Sequence, residues 1–114
     1  ILFESNEDVI LLMDAHLAEV LCDNLLSNAI KYSLPNTPIM VVLEKESLLI
    51  KNEGKRAILK PDHLFQRFYK ESDEVKSTGL GLAIVKKICG LYGFQPSYWY
   101  TNNEHHFAIS LPKQ

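Results

Sequence analysis

The sequence predicts an α/β fold, a two-layer α/β sandwich in which a mixed β-sheet carries helices packed on one face. Two long stretches, from Asp14 to about Tyr32-Ser33 and from Thr78 to Gly93, repeat apolar side chains at helical spacing. Short runs rich in β-branched and aromatic residues lie between and after them, at 39–43, 47–51, 96–100 and 107–111. Tight polar turns join several of these runs directly, so the sheet is mixed, and interleaved helices cover it most simply from one side.

The elements follow in order. Ile1 to Phe3 and Val9 to Met13 are apolar runs separated by a polar spacer, and read as a hairpin or two neighbouring strands. Asp14 offers an N-cap oxygen to a helix of about five turns. Pro35-Asn36-Thr37-Pro38 breaks that helix and leads into the strand Ile39 to Leu43. Ser47 to Lys51 is the next strand, making a hairpin that turns at Glu44-Lys45-Glu46. Lys60-Pro61-Asp62 opens a short helix through Leu64, Phe65 and Phe68, followed by the polar run Glu71 to Ser77. The second long helix carries Leu80, Ile84, Ile88 and Leu91 at helical spacing and stops at Gly93. The strands Pro96 to Tyr100 and Phe107 to Leu111 close the chain around the turn residues Asn102-Asn103.

A chain of 114 residues, 46% apolar, fits one domain over 1–114 whose core needs neither disulfide nor metal. The formal net charge of −2 is too small to steer the domain to nucleic acid or anionic lipid, so neither is an expected partner. Cys22 and Cys89 match no metal or redox spacing and are expected as two buried, reduced thiols, which suits a reducing compartment. No stretch approaches the roughly 20 apolar residues that span a bilayer, and the first residues lack the pattern of a signal peptide.

The first helix carries an oddity. At about 100° per residue, Leu17, Val20, Leu21, Asn24, Leu25 and Asn28 share one arc, while Glu19, Asp23 and Ser27 lie opposite. Asn24 and Asn28 therefore face the sheet side one turn apart, with Lys31 and Tyr32 continuing the row. A buried amide without a partner costs roughly 1–3 kcal/mol. Two explanations fit: the amides bond to backbone, or they face a pocket. In a pocket, an amide oxygen suits Mg²⁺ that keeps phosphate oxygens and water as its other ligands, Lys31 supplies charge to a phosphate, and Tyr32 supplies an aromatic surface or hydroxyl. Ser77-Thr78-Gly79-Leu80-Gly81-Leu82 runs directly into the second helix. The unpaired N–H groups of a helix start favour an anion, and glycines let the main chain approach it, although such a stretch can also be only a tight turn.

These segments together resemble the catalytic ATP-binding domain of two-component sensor histidine kinases, in the superfamily that includes DNA gyrase, the mismatch-repair ATPases and the heat-shock chaperone ATPases. Residues 24–33, from Asn24-Leu25-Leu26-Ser27-Asn28 to Ser33, resemble the asparagine box of that family. Leu64-Phe65-Gln66-Arg67-Phe68-Tyr69-Lys70 resembles its phenylalanine box, Thr78-Gly79-Leu80-Gly81-Leu82-Ala83-Ile84-Val85 its second glycine box, and Phe107 to Pro112 its closing strand. The resemblance covers nearly the whole chain in the family's order and implies the Bergerat ATP-binding fold. It further implies that Asn28 coordinates Mg²⁺ on the phosphates of ATP with Asn24 beside it, that Lys31 contacts phosphate, and that Tyr32 lies against the nucleotide. Arg67 and Lys70 would sit at the lid over the triphosphate. Thr78, Gly79, Leu80, Gly81 and Leu82 would form the segment that closes onto it. In the related ATPases a glutamate about four residues before the Mg²⁺ asparagine activates water. Asn24 stands at that place and is no base, which implies phosphoryl transfer to a histidine rather than hydrolysis.

The first glycine box departs from the family pattern of aspartate, any residue, glycine, any residue, glycine. This chain has Asn52-Glu53-Gly54-Lys55-Arg56. The aspartate accepts a hydrogen bond from the adenine amino group; Asn52 can present a carbonyl oxygen, but as a neutral acceptor. Arg56 replaces the second glycine. The phosphoacceptor is also absent: none of His16, His63, His105 and His106 is followed by an acidic residue, and all four are expected as surface or half-buried side chains.

The resemblance implies phosphoacceptor and dimerisation helices elsewhere in the same parent kinase, a response regulator downstream, and a monomeric, cytoplasmic domain with no membrane contact of its own, whose parent can be anchored in the inner membrane. The alternative is a degenerate module that keeps the fold, binds nucleotide weakly and docks to partner helices. A free-standing ATPase or an anti-sigma-type serine kinase fits less well, because no general base is in place.

Overall fold

The computed structural model describes residues 1–5, 9, 11–55, 63–66 and 80–112. Along the chain these form β1 (Leu2–Ser5), α1 (Ala15–Tyr32), β2 (Ile39–Glu44), β3 (Ser47–Glu53), α2 (Gly81–Tyr92), β4 (Gln95–Thr101) and β5 (Glu104–Ser110). The five strands make one sheet in the order β1-β2-β3-β5-β4. β1 runs parallel to β2 and every other neighbour is antiparallel, so the sheet is mixed. Val41, Ile50, Phe107 and Tyr98 line up across four strands on one face. α1 and α2 pack on that face and against each other, and Leu21, Leu25 and Ala29 of α1 join Val85, Ile88 and Cys89 of α2 in one core.

α1 begins where Asp14 Oδ1 accepts from the Leu17 N–H at 3.0 Å, which satisfies one of the orphan donors of the first turn. It ends at Ser33, whose backbone is extended. The next N–H, of Leu34, donates to the Glu53 carbonyl at 2.9 Å and fastens the helix end to the end of β3. At its other end the Asp14 N–H donates to the Tyr92 hydroxyl at 3.0 Å, joining the start of α1 to the last turn of α2. α2 stops at Gly93, whose φ of 74° suits glycine, with a closing bond to the Cys89 carbonyl. Asn102 and Asn103, at φ 52° and 62°, supply the left-handed turn between β4 and β5.

Several expectations are corrected. Val9 to Met13 is not a hairpin partner of the first strand: β1 pairs with β2, from Leu2 opposite Met40 to Ser5 opposite Leu43. The described residues 9 and 11–13 lie outside any strand, and Val9, Leu11 and Met13 pack against the core instead. The hairpin turn is confined to Lys45-Glu46, and β3 extends to Glu53. The stripe Leu80, Ile84, Ile88 and Leu91 is not the buried face of α2. Leu82, Val85, Ile88 and Cys89 are buried, while Ile84 and Leu91 are exposed. Cys22 is exposed rather than buried, because it lies beside Asp23 on the solvent side of α1; Cys89 is fully buried, and burial pushes its thiol up to about 11. His105 and His106 are both buried. Most of the expected helix from Lys60 to Phe68, and the polar run after it, lie outside the described residues; within 63–66, the Gln66 N–H turns back to the His63 carbonyl and Leu64 enters the core. No helix of the described residues is long and apolar enough to cross a membrane.

The corrected face of α2 is testable. Ile88, 4% exposed, and Leu91, 67% exposed, differ in burial but not in chemistry. Ile88→Ala should cost about 2–5 kcal/mol in urea unfolding, and Leu91→Ala less than about 0.5 kcal/mol. Equal losses would show that the burial assignment is wrong.

Candidate functional site

The site is built where the last turns of α1 meet the end of β3 and the start of α2. Asn24, half-buried, donates from Nδ2 to the Val20 carbonyl at 2.8 Å, one turn back along α1. That bond fixes the carboxamide, and its Oδ1 faces α2 so closely that a methyl group on Gly81 would lie 3.1 Å away. Glycine at the first position of α2 is therefore favoured by close contact with α1 rather than by backbone torsion. Among the described residues no side chain caps this helix start and no acidic residue stands in its first turn, so the partial positive charge of its N–H groups is not answered by the helix itself.

One turn beyond Asn24, Asn28 is 7% exposed and its Nδ2 has no hydrogen-bond partner among the described residues. Lys31 is exposed in the last turn of α1. Tyr32 turns inward, its ring centroid 5.9 Å from that of His105 and 6.5 Å from that of Phe107.

On the sheet side, Asn52 lies near the end of β3 between Ile39 of β2 and His105 of β5. It is 1% exposed, and neither Oδ1 nor Nδ2 has a partner among the described residues. Gly54 follows. Its N–H donates to the Asn103 carbonyl at 2.9 Å and its own carbonyl accepts from the Tyr100 hydroxyl at 2.8 Å. The His105 ring lies against Gly54 where any β-carbon would overlap Nε2 and Cδ2. The other ring nitrogen of His105, Nδ1, shares a hydrogen bond of 2.8 Å with the Tyr98 hydroxyl. The loop after β3 thus rests on a histidine held by tyrosines of β4.

Of the residues singled out in the sequence, the structure brings Asn24 together with Gly81, and links Tyr32 through His105 to Asn52 and Gly54. Leu80 is half-buried just before α2, and the Leu82 side chain belongs to the core, so only its backbone is available to a ligand. Arg67, Lys70, Thr78 and Gly79, with Arg56 and Ser77, lie outside the described residues. Sequence reasoning missed His105, Tyr98 and Tyr100 as parts of the site. The usable signal was the Asn102-Asn103 turn: a two-residue turn puts His105 opposite Tyr100 and Phe107 opposite Tyr98, one aromatic row on one face. Among the described residues no group of three or more His, Cys, Asp or Glu side chains could hold a metal ion.

The family model described as histidine kinase-, DNA gyrase B- and HSP90-like ATPase matches residues 13–114. The heme sensor protein HssS of Staphylococcus haemolyticus is 42% identical over 101 residues, covering 81% of this chain and 22% of that protein. The sensor histidine kinase HprS of Escherichia coli is 35% identical over 108 residues, covering 89% of this chain and 24% of its own length. The chain thus spans about a fifth to a quarter of these curated relatives. Among solved structures, the catalytic domain of the histidine kinase ThkA superposes with a TM-score of 0.84 at 24% identity, over 98% of this chain and 77% of that one, a likeness of fold.

The contact between His105 and Gly54 predicts a non-additive pair. Gly54→Ala should cost about 1–3 kcal/mol of unfolding free energy by overpacking. In a His105→Ala background the same change should cost less than about 0.5 kcal/mol. If the two penalties are equal, the ring is not what holds position 54 to glycine.

Proposed function

The chain belongs to the histidine kinase-, DNA gyrase B- and HSP90-like ATPase family, and from that premise we propose that it binds Mg-ATP and donates the γ-phosphoryl group to a histidine on a separate dimerisation and phosphoacceptor domain of a sensor kinase, for relay to a response regulator. One observation carries the reading: the core-facing side of α1 presents amides, Asn24 and Asn28, beside an uncapped glycine start of α2, while the α1 carboxylates Glu19 and Asp23 are exposed on the other side. Such a site can hold a triphosphate and has no base on that helix face to activate water. Phosphoryl transfer needs positioning and charge stabilisation more than a strong base, so the arrangement suits transfer to a second domain.

The residues fit Mg²⁺ and ATP on structural grounds. A buried amide with an unpartnered nitrogen marks a position that a ligand completes, and one neutral amide oxygen without a carboxylate cluster suits a cation that keeps phosphate and water oxygens. When bound, Mg²⁺ neutralises phosphate charge. Asn28 would orient toward it, Asn24 would hold the start of α2 in place, and Lys31 would add charge beside the phosphates. The backbone from Thr78 through Gly79, Leu80 and Gly81 to Leu82 would approach the phosphates, with Arg67 and Lys70 over them. Tyr32, Asn52 and Gly54 would enclose the base. In this reading residues 1–114 are one catalytic domain, monomeric alone and cytoplasmic, whose phosphoacceptor helices belong to the same parent protein anchored in the inner membrane. Asn52, an amide where the family pattern has a carboxylate, favours a second reading, in which the fold is kept, nucleotide binds weakly and the domain acts by docking.

Thermal unfolding with a non-hydrolysable ATP analogue separates the two. With Mg²⁺ and analogue at about 100 μM, a hundredfold excess over a micromolar dissociation constant, stability should rise by ~2.7 kcal/mol, and by well under about 1 kcal/mol if nucleotide binds only at millimolar concentration. Asn28→Ala should weaken Mg²⁺-dependent binding at least about tenfold, equivalent to ~1.4 kcal/mol. With ATP and an added phosphoacceptor-helix domain, labelled phosphate should appear on its histidine. No stabilisation by the analogue leaves only the docking module, and release of phosphate without labelled histidine rejects the kinase.

A further inference from the structure

We propose that the base end of this site reads 6-oxo purines as well as 6-amino purines, so that it accepts inosine- and guanosine-type triphosphates alongside ATP; this rests on the reading that the chain binds a nucleoside triphosphate. The observation is the state of Asn52. The other asparagine amides of the site differ: Asn24 is committed through Nδ2 to Val20, and only Nδ2 is orphaned in Asn28. In Asn52 both polar atoms are buried and neither has a partner among the described residues. Each such group lowers stability until something bonds to it.

The surroundings of Asn52 indicate what that partner is. It is paired across the sheet with His105, which is enclosed by the rings of Tyr32, Tyr98, Tyr100 and Phe107, all within 6.4 Å of it between centroids. This is the ring-lined end of the site; the uncapped start of α2 and Lys31 form the end suited to phosphate. An unpartnered amide next to such a ring cluster suits a heterocyclic base that offers both a donor and an acceptor.

An ionised carboxylate only accepts, so at this place it would select a 6-amino group and repel a 6-oxo group. A carboxamide both accepts and donates. Toward a 6-amino purine, Oδ1 accepts from the N6 amino group while Nδ2 donates to N1. Toward a 6-oxo purine, Nδ2 donates to O6 while Oδ1 accepts from N1–H. The two arrangements differ by a half-turn of the carboxamide. Because neither atom is bonded within the described structure, that half-turn breaks no hydrogen bond there.

Competition against a bound fluorescent ATP analogue, with Mg²⁺ present, tests this on ATP, ITP and purine riboside triphosphate. ITP carries the 6-oxo group without the 2-amino group of guanine, and purine riboside triphosphate has no 6-substituent. In the unaltered chain, ITP and ATP should bind within about tenfold of each other, and purine riboside triphosphate at least about tenfold more weakly than both. Asn52→Asp should raise the ratio of the ITP to the ATP dissociation constant at least about a hundredfold. If that variant does not fold, the three ligands on the unaltered chain still decide. ATP bound more than about tenfold tighter than ITP, purine riboside triphosphate bound within about tenfold of either, or a ratio raised less than about a hundredfold in a folded Asn52→Asp protein would each overturn the proposal while leaving nucleotide binding intact. No binding of the fluorescent analogue would reject the nucleotide reading itself, and this proposal with it.

Discussion

The contact between Asn24 and Gly81 sets how the two helices lie, and the site follows from it. A methyl at position 81 would lie 3.1 Å from the Asn24 carboxamide oxygen, so α1 and the start of α2 approach closely here and any side chain would require that amide to shift by a few tenths of an ångström. A second tie, from the Asp14 N–H to the Tyr92 hydroxyl, holds the start of α1 to the end of α2. The two ties make the helices antiparallel. They are also matched in length: the ten residues from Asp14 to Asn24 and the eleven from Gly81 to Tyr92 each rise about 15–17 Å. α1 is longer, with 18 residues against 12. Its remaining eight residues, to Tyr32, run on for about 12 Å beyond the point where α2 begins. Asn28, Lys31 and Tyr32 all lie on that overhang, opposite no turn of α2.

Beneath the overhang the sheet changes character. Toward the Lys45-Glu46 turn its helix-facing side is hydrocarbon, with Ile50, Phe107 and Ile109 among the most buried residues. Two residues further along each strand, the same face carries Asn52 and His105, with Tyr100 opposite His105. The change falls in one register row, so polar groups from β3, β4 and β5 gather at one edge of the core. His105 belongs to both regions. Its Nδ1 is satisfied by Tyr98, while its ring supports Gly54 and with it the first turn of the loop after β3. The Tyr100 hydroxyl fixes the Gly54 carbonyl from the same side. The glycine of the first glycine box is therefore also a packing glycine, made necessary by a histidine about fifty positions away.

Where one local signal decided an element, the sequence was enough. Asp14 as cap, Pro35 to Pro38 as break, Gly93 as stop and Asn102-Asn103 as turn each have a single stereochemical reason, and each stands where expected. α2 shows where this ends. Gly81-Leu82-Ala83-Ile84-Val85 and Ile88-Cys89-Gly90-Leu91 are apolar around most of the helix, so periodicity admits several faces and tertiary contact chooses among them. The pair His105-His106 misleads differently. Alternation in a strand turns one ring inward and the other outward, yet both are buried, because His106 on the outer face is covered by Trp99 in a parallel stack at 4.9 Å. Of the site, the amide row and its neighbouring glycine were legible because polar residues on a core-facing arc violate amphipathic patterning. His105 and its tyrosines violate nothing, since alternating aromatics are ordinary strand residues, and only the pairing of three strands makes them part of a site.

The three interior amides can be ordered by how far the protein satisfies them. Among the described residues, Asn24 donates within its own helix, Asn28 leaves its nitrogen unpaired, and Asn52 leaves both of its polar atoms unpaired. The first fixes helix geometry. The others lower stability, by roughly 1–3 kcal/mol for each unpaired group in a domain whose total is on the order of 5–15 kcal/mol. Folding alone gives no reason to keep them, because leucine at either place would extend the neighbouring core. A ligand that completes them recovers that stability at the moment of binding. In the proposed site, Asn28 and Asn52 stand at opposite ends, one beside the phosphates and one beside the base. These two amides would therefore bracket the ligand, whereas His106 Nδ1, also buried without a partner among the described residues, lies on the outer face of the sheet under Trp99 and takes no part in it.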